Sequence, residues 1–186
     1  MIIQTLAVLI ILLIFLLIYL IKKWQKGRLE KFAHIFYEPK FSNLLFYPKI
    51  SGRYNNIFTE VSFIPRSKNT PPKVKISIDY KDFERWRIKR KVPYDLDISF
   101  LPKFKTNNPY LDENFSVRAK NLEYFYPVIQ DPRKIEKIMK IFTKNEAVLL
   151  EAKKRKLILW LHNIGISQLQ GEELGQILDN LISFTL

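Results

Sequence analysis

The chain opens on one apolar block and then changes character. Residues 6–21 carry no charge and no strongly polar side chain, and within residues 1–21 the polar members are Gln4 and Thr5. At about 1.5 Å per residue such a block reaches roughly 32 Å as a helix, enough for a hydrocarbon core of about 30 Å. Of its members 16 are Leu, Ile, Val or Phe, each favouring the bilayer by about 0.3–0.6 kcal/mol at the helix centre. A cleaved signal peptide needs a basic start, a shorter apolar core and small residues before the cut. Here the block runs straight into Lys22-Lys23-Trp24, which predicts an uncleaved transmembrane helix.

Beyond it, Leu29, Phe32, Ala33 and Phe36 recur at helical spacing. The helix is therefore expected to continue as an amphipathic stalk to about Tyr37, where Glu38-Pro39 stops it. Residues 41–48 are apolar without a period. From residue 50 the period becomes two. Residues 50–54 and 57–64 bracket Asn55-Asn56, a pair that tolerates positive φ, and read as a hairpin. In 73–80, Val74, Ile76, Ile78 and Tyr80 alternate with Lys73, Lys75, Ser77 and Asp79, the mark of a half-buried strand. Leu96, Ile98 and Phe100 alternate in the same way with Asp95, Asp97 and Ser99, and 115–119 is a weaker case. Polar stretches at 65–72 and 102–114 read as loops.

The last third has helix punctuation. Asp131-Pro132 supplies an N-cap and a first-turn proline, followed by Ile135, Ile138, Met139 and Phe142 on one face. Residues 147–152 and 157–162 form apolar strands around the charged tip Lys153-Lys154-Arg155-Lys156, and a final helix over 171–184 presents Leu174, Ile177, Leu178 and Leu181. Strands in runs with helices gathered late indicate an α+β domain, mainly an antiparallel sheet, with two helices of the C-terminal third flanking a β-hairpin. The predicted division is 1–21 transmembrane helix, 22–47 juxtamembrane basic amphipathic helix and connector, and 48–186 a single soluble domain.

Composition sharpens this. The 186 residues include 14 Phe, 9 Tyr and 3 Trp, too aromatic for disorder, and no Cys, which excludes disulfide scaffolds, thiolate zinc sites and thiol nucleophiles. The net charge of +13 is unevenly placed: +4 in residues 22–31, +8 in 32–110 and +1 in 111–186. Lys22, Lys23, Lys26 and Arg28 follow the apolar block, with Trp24 among them. Basic flanks are retained in the cytoplasm and Trp favours the interface, so a cytoplasmic domain with the N-terminus outside is expected. The reversed orientation is the alternative, and it would leave an accessory role intact.

Catalytic signatures are missing. No phosphate-binding glycine loop, dinucleotide fingerprint, nucleophile elbow or zinc-protease motif occurs, and no cofactor or metal site is expected. Glu30, His34 and Glu38 would share one helical face, but Lys26 extends that row into a solvated charge pattern. Asp95 and Asp97, on one side of a strand, are the material for an alternative, a membrane-tethered enzyme using a divalent metal. The densest basic run, Arg85-Trp86-Arg87-Ile88-Lys89-Arg90-Lys91, suggests contact with an anionic surface through Arg85, Trp86, Arg87, Lys89, Arg90 and Lys91. Anionic lipid or an acidic protein partner fits a domain tethered at the bilayer. Nucleic acid fits less well, because it requires the run to form one continuous surface with exposed aromatics. The reading is a single-pass, membrane-anchored accessory, scaffold or assembly protein without enzymatic function.

Overall fold

The computed structural model describes residues 2–81, 84–91, 99–144 and 146–185. Helix α1, Ile2–Glu30, is apolar on every side over most of its length. Within it Gln4–Glu30 is long and apolar enough to cross a membrane, its apolar window having a mean hydropathy of 2.9 and being 0% buried. Leu9, Leu13 and Phe15 are all more than half exposed, which suits lipid rather than water.

At its upper end α1 enters the domain without a linker. Leu29 and Phe32 are fully buried and Phe36 nearly so, and the Phe32 ring stacks on Phe63 with centroids 5.5 Å apart. The expected continuous helix to Tyr37 is not what forms. The α-helix stops at Glu30, and a 3-10 turn at Ala33–Ile35 follows, held by Ile35 N–H donating to Phe32 O at 3.1 Å and Phe36 N–H to Ala33 O at 3.2 Å. The tighter turn brings both Phe32 and Phe36 onto the sheet, where a straight helix would carry the chain past it. Gly52 makes room: a Cβ there would lie 2.8 Å from Phe36 Cβ and 2.9 Å from Tyr37 O. The row Glu30, His34, Glu38 is broken as a result, because Glu38 sits at φ 51 in the first strand.

That strand, β1 (Tyr37–Ser42), begins a meander with β2 (Lys49–Tyr54), β3 (Ile57–Ile64) and β4 (Lys73–Asp79). Pro39 is tolerated because β1 is a sheet edge. The chain then crosses to β5 (Trp86–Arg90), adds β6 (Lys103–Phe104), α2 (Pro109–Asn114), β7 (Phe115–Ala119), α3 (Leu122–Gln130) and α4 (Pro132–Lys144), and returns with β8 (Ala147–Lys153) and β9 (Lys156–His162) before α5 (Gly171–Thr185). The result is one nine-stranded sheet in the order β1-β2-β3-β4-β9-β8-β5-β7-β6. Every named pairing is antiparallel. The late hairpin β8–β9 fills the gap between β4 and β5, so the middle of the sheet comes from the end of the sequence.

The α+β architecture matches the sequence reading, as do the Asn55-Asn56 hairpin and the β8–β9 hairpin. Both Asn residues take positive φ, at 49° and 64°. Five elements lie where no regular structure was assigned: β1, β5, β6 and α2 inside the supposed 102–114 loop, and α3. Asn108 caps α2 by accepting from Leu111 N–H at 3.2 Å, and Pro109 starts it. Of the strand expected from Asp95 to Phe100, residues 95–98 lie outside the described residues, and Ser99 and Phe100 are not in a strand, Phe100 standing fully exposed.

One row of side chains shows how the sheet makes a core. Ile50, Val61, Ile76, Leu159, Leu150, Ile88 and Val117 stand opposite one another across seven strands. All are at most 1% exposed, and each is worth about 1.5–3 kcal/mol in removal from water. Onto them pack Phe125 and Ile129 of α3, Ile138 and Phe142 of α4, and Leu174, Leu178 and Leu181 of α5. The helices thus cover one face of the sheet.

Candidate functional site

The opposite face is where the charge goes. Because strand side chains alternate, the register that buries Ile88 turns its neighbours outward. One outward row runs Ser77, Ile158, Glu151, Arg87, Arg118, Lys103, and the next runs Ser62, Lys75, Trp160, Leu149, Lys89, Ser116. In the first, three basic residues stand on three adjacent strands. Like charges directly opposite each other disfavour pairing, and the acidic residue of this row, Glu151, stands opposite Arg87 on the other side. Arg118 is held by donating from Nη1 to Leu101 O at 2.8 Å.

Other charges on this face are engaged as well. Lys49 pairs with Glu60 at 3.0 Å, both side chains about three-quarters buried, and Lys75 lies 5.6 Å from the centroid of the Trp160 ring. Between β4, β9, β8 and β5 the surface sinks into a concavity of about 550 Å³, with Lys73, Arg87 and Lys89 around Trp160, Leu149 and His162. Cations here stand beside a mostly buried Trp and aliphatic side chains; Arg and aromatics are the residue types that anchor contacts between proteins.

The basic run therefore does not act as one stripe. Arg87 and Lys89 face outward into the concavity. Trp86, expected at the surface, is 1% exposed and packs on Phe125 and Phe184 with centroids 5.1 and 5.6 Å away. Alternation explains the correction: a strand that turns Arg87 and Lys89 out must turn Trp86 and Ile88 in. Arg90, at the end of β5, also lines the concavity, but its guanidinium turns to the helix side and donates to Phe142 O in the last turn of α4, where a cation complements the helix dipole. Lys91 Nζ donates to Asp112 O at 2.6 Å, holding α2. Arg85 is exposed beside β7, its carbonyl accepting from Lys120 N–H at 2.8 Å. A continuous surface with exposed aromatics, which nucleic acid would need, is not formed by this run.

The juxtamembrane residues make a second surface. Lys22, Lys23 and Trp24 are exposed on α1; Arg28 lies 4.6 Å from the Trp24 ring centroid, and Lys26 reaches Glu30 at 3.9 Å. Lys31 Nζ donates to Leu169 O at 2.6 Å, clamping the helix end to the loop before α5. Burial and the nearby Arg28 push its amine below the ordinary lysine range. At the other end of β2, Tyr54 donates to Asp179 Oδ1 at 2.7 Å, tying the sheet to α5. Desolvation first, and the Asp179 carboxylate second, raise the Tyr54 hydroxyl to about 12.

Among the described residues no three His, Asp or Glu side chains gather as metal ligands. Asp95 and Asp97, the carboxylates considered for metal-assisted catalysis, lie outside the described residues. His34 packs against the start of α5, its Cε1 3.1 Å from where a Gly171 Cβ would stand, and His162 lines the concavity. Sequence reasoning missed Lys73, Arg118 and Trp160 as parts of the cationic face. Lys73 was legible in the alternation of β4; the others required the order of the strands.

No family model matches the chain, and no curated protein matches it. Among solved structures the fold is similar to the crystal structure of the mycobacterial trehalose monomycolate transport factor A, TtfA. The TM-score is 0.58 over 87% of this chain and 92% of that one, at 10% sequence identity, a likeness of fold.

Proposed function

We propose that this protein is a single-pass, membrane-anchored accessory subunit of a membrane assembly, and that its open basic sheet face docks an acidic surface of a protein partner. The observation that carries the reading is the fusion of a wholly exposed apolar helix into the domain core through Leu29 and Phe32. Such a helix has no use in water, and its rigid entry holds the domain at one height above a bilayer. The likeness in fold to a transport factor supports an accessory role. The cluster Arg87, Arg118 and Lys103 supports an acidic partner, and the apolar Trp160 and Leu149 beside it favour protein over a bare lipid headgroup layer. The basic flank of the span supports a cytoplasmic domain.

The test uses the absence of Cys, which makes any single Cys a unique handle. Arg53 is exposed near the end of β2. In Arg53→Cys, a membrane-impermeant maleimide is expected to label only after the cells are opened; labelling in intact cells would reverse the orientation. A photocrosslinking amino acid at Lys89 is expected to capture one discrete membrane protein, with capture lost in Arg87→Glu and in high salt. Capture unchanged by both would remove the basic face from the interaction.

A further inference from the structure

The loop between β1 and β2 stands at the same level as the end of the apolar span. Lys22, the first charged residue after the block, lines one concavity of about 500 Å³ together with residues 43–47, Asn43-Leu44-Leu45-Phe46-Tyr47. One turn further up α1, Lys26 lies 5.8 Å from the Phe41 ring centroid, so β1 descends alongside the helix and delivers its loop to Lys22. Leu44 packs back on the core. Phe46 and Tyr47 turn away from it, 74% and 54% exposed. Two adjacent aromatics left in water at a loop tip contribute nothing to the fold. If α1 spans from about residue 2, some 20 residues at about 1.5 Å each bring Ile21 to the edge of a hydrocarbon core of about 30 Å. Lys22 and the loop beside it then lie in the headgroup layer, where aromatic side chains with one polar edge partition best.

We infer that the β1–β2 loop is a second membrane contact, with Phe46 and Tyr47 seated in the interface of the leaflet from which α1 emerges. The ligand is the lipid interface itself. Lys22 and Lys23 bring positive charge to the same level, which favours a leaflet containing anionic headgroups. The contact is set by the fold: a helix that ends in the core at Leu29 and Phe32 cannot swing the domain away. The inference rests on the reading of α1 as a membrane anchor, and its test separates the two.

Three single-Cys variants of the full chain, Ile14→Cys, Tyr47→Cys and Arg53→Cys, are labelled with an environment-sensitive fluorophore and reconstituted in vesicles of phosphatidylcholine and phosphatidylglycerol. Lipids bearing a quencher near the headgroup or deep in the acyl chain then report depth. Tyr47→Cys retains Phe46, and Arg53 lies six residues along the chain, about 20 Å in an extended strand. Position 14 is expected to be quenched by the deep probe, position 47 at least twofold more by the shallow probe than position 53, and position 53 by neither. Quenching at 14 with positions 47 and 53 alike would overturn the loop contact and leave the anchor standing. No quenching at 14 would overturn the anchor, and the loop contact with it.

Discussion

Trp86 and Lys89 are three residues apart in one basic run and belong to opposite faces of the sheet, so replacing each should produce opposite kinds of damage. Trp86 is 1% exposed between Phe125 and Phe184. Cutting it to Ala removes the largest side chain in that corner, a loss of about 3–5 kcal/mol for a buried aromatic. For a domain of this size each kcal/mol moves the midpoint by about 2–4 °C, so Trp86→Ala should unfold some 6–20 °C lower. Lys89 stands on the outward row, and Lys89→Ala should stay within about 0.5 kcal/mol of the parent. If the basic face docks an acidic surface, a charge there is worth up to about 1 kcal/mol, and partner capture through a photocrosslinking amino acid placed at Leu149, in the same concavity, should fall up to roughly fivefold. Both are read on the full chain in detergent, by brief trypsin pulses along a temperature ramp; cleavage at the many Lys and Arg residues reports the unfolded domain without interference from a micelle-protected α1. The reasoning fails if Lys89→Ala lowers the midpoint as far as Trp86→Ala. It also fails if Trp86→Ala leaves the midpoint unchanged, since the indole would then not be in the core.

Three further outcomes follow from packing and from the Tyr54 hydrogen bond. Gly52→Ala should destabilise the domain by about 1–3 kcal/mol, because the new Cβ meets Phe36 Cβ at 2.8 Å and Tyr37 O at 2.9 Å. Gly27→Ala, with nothing within 4 Å of its Cβ, should stabilise slightly as any exposed helix Gly→Ala change does; the same proteolysis ramp separates them, and equal effects would refute the tight fit at Gly52. Tyr54 keeps its proton in the folded state up to about 12, whereas the unfolded chain releases it near 10. Its contribution is therefore complete below pH 10 and lost as pH rises from 10 through 12. Scaled down for partial exposure to about 1 kcal/mol, it should appear as a difference in urea midpoint between the parent and Tyr54→Phe that shrinks across that window. A constant difference would show that Asp179 does not hold the hydroxyl.

The same periodicities that made much of this fold readable also explain what was misread. Strict alternation in β4 and the Asn-Asn turn of β2–β3 fix strand and face together, because a period of two admits no other regular structure. At Leu29, Phe32 and Phe36 the spacing identified the buried residues and not their conformation: an α-helix and an α-helix closed by a 3-10 turn place apolar residues at nearly the same intervals. What decides between them is Gly52, distant in sequence and needed only because the chain must cross β2. β5 was hidden by its own charge. Trp86 and Ile88 alternate with Arg87 and Lys89 as any half-buried strand does, but five basic residues in seven mask that alternation. The cationic cluster was beyond a linear reading, since Arg87, Arg118 and Lys103 become neighbours only through the order β5-β7-β6.

That order bears on how a tethered domain could present a surface. A helix entering the core near Leu29 and Phe32 sets the distance of the domain from the end of the span, yet a single helix can still tilt in the bilayer, and tilt would swing the basic face towards or away from the membrane surface. A second contact off the axis removes that freedom. The β1–β2 loop lies beside Lys22 at one edge of the sheet, while Arg87, Arg118 and Lys103 gather near the other, at β5, β7 and β6. With six neighbour spacings of about 4.8 Å between β1 and β5, a loop pinned at the interface would hold the cationic cluster roughly 30 Å to the side of the anchor. A partner would then meet that face at a defined lateral distance from α1. Phe46→Asp, which removes the pin without touching the face, should therefore weaken capture at position 89 while leaving the trypsin midpoint unchanged; full capture in that variant would mean that α1 alone orients the domain.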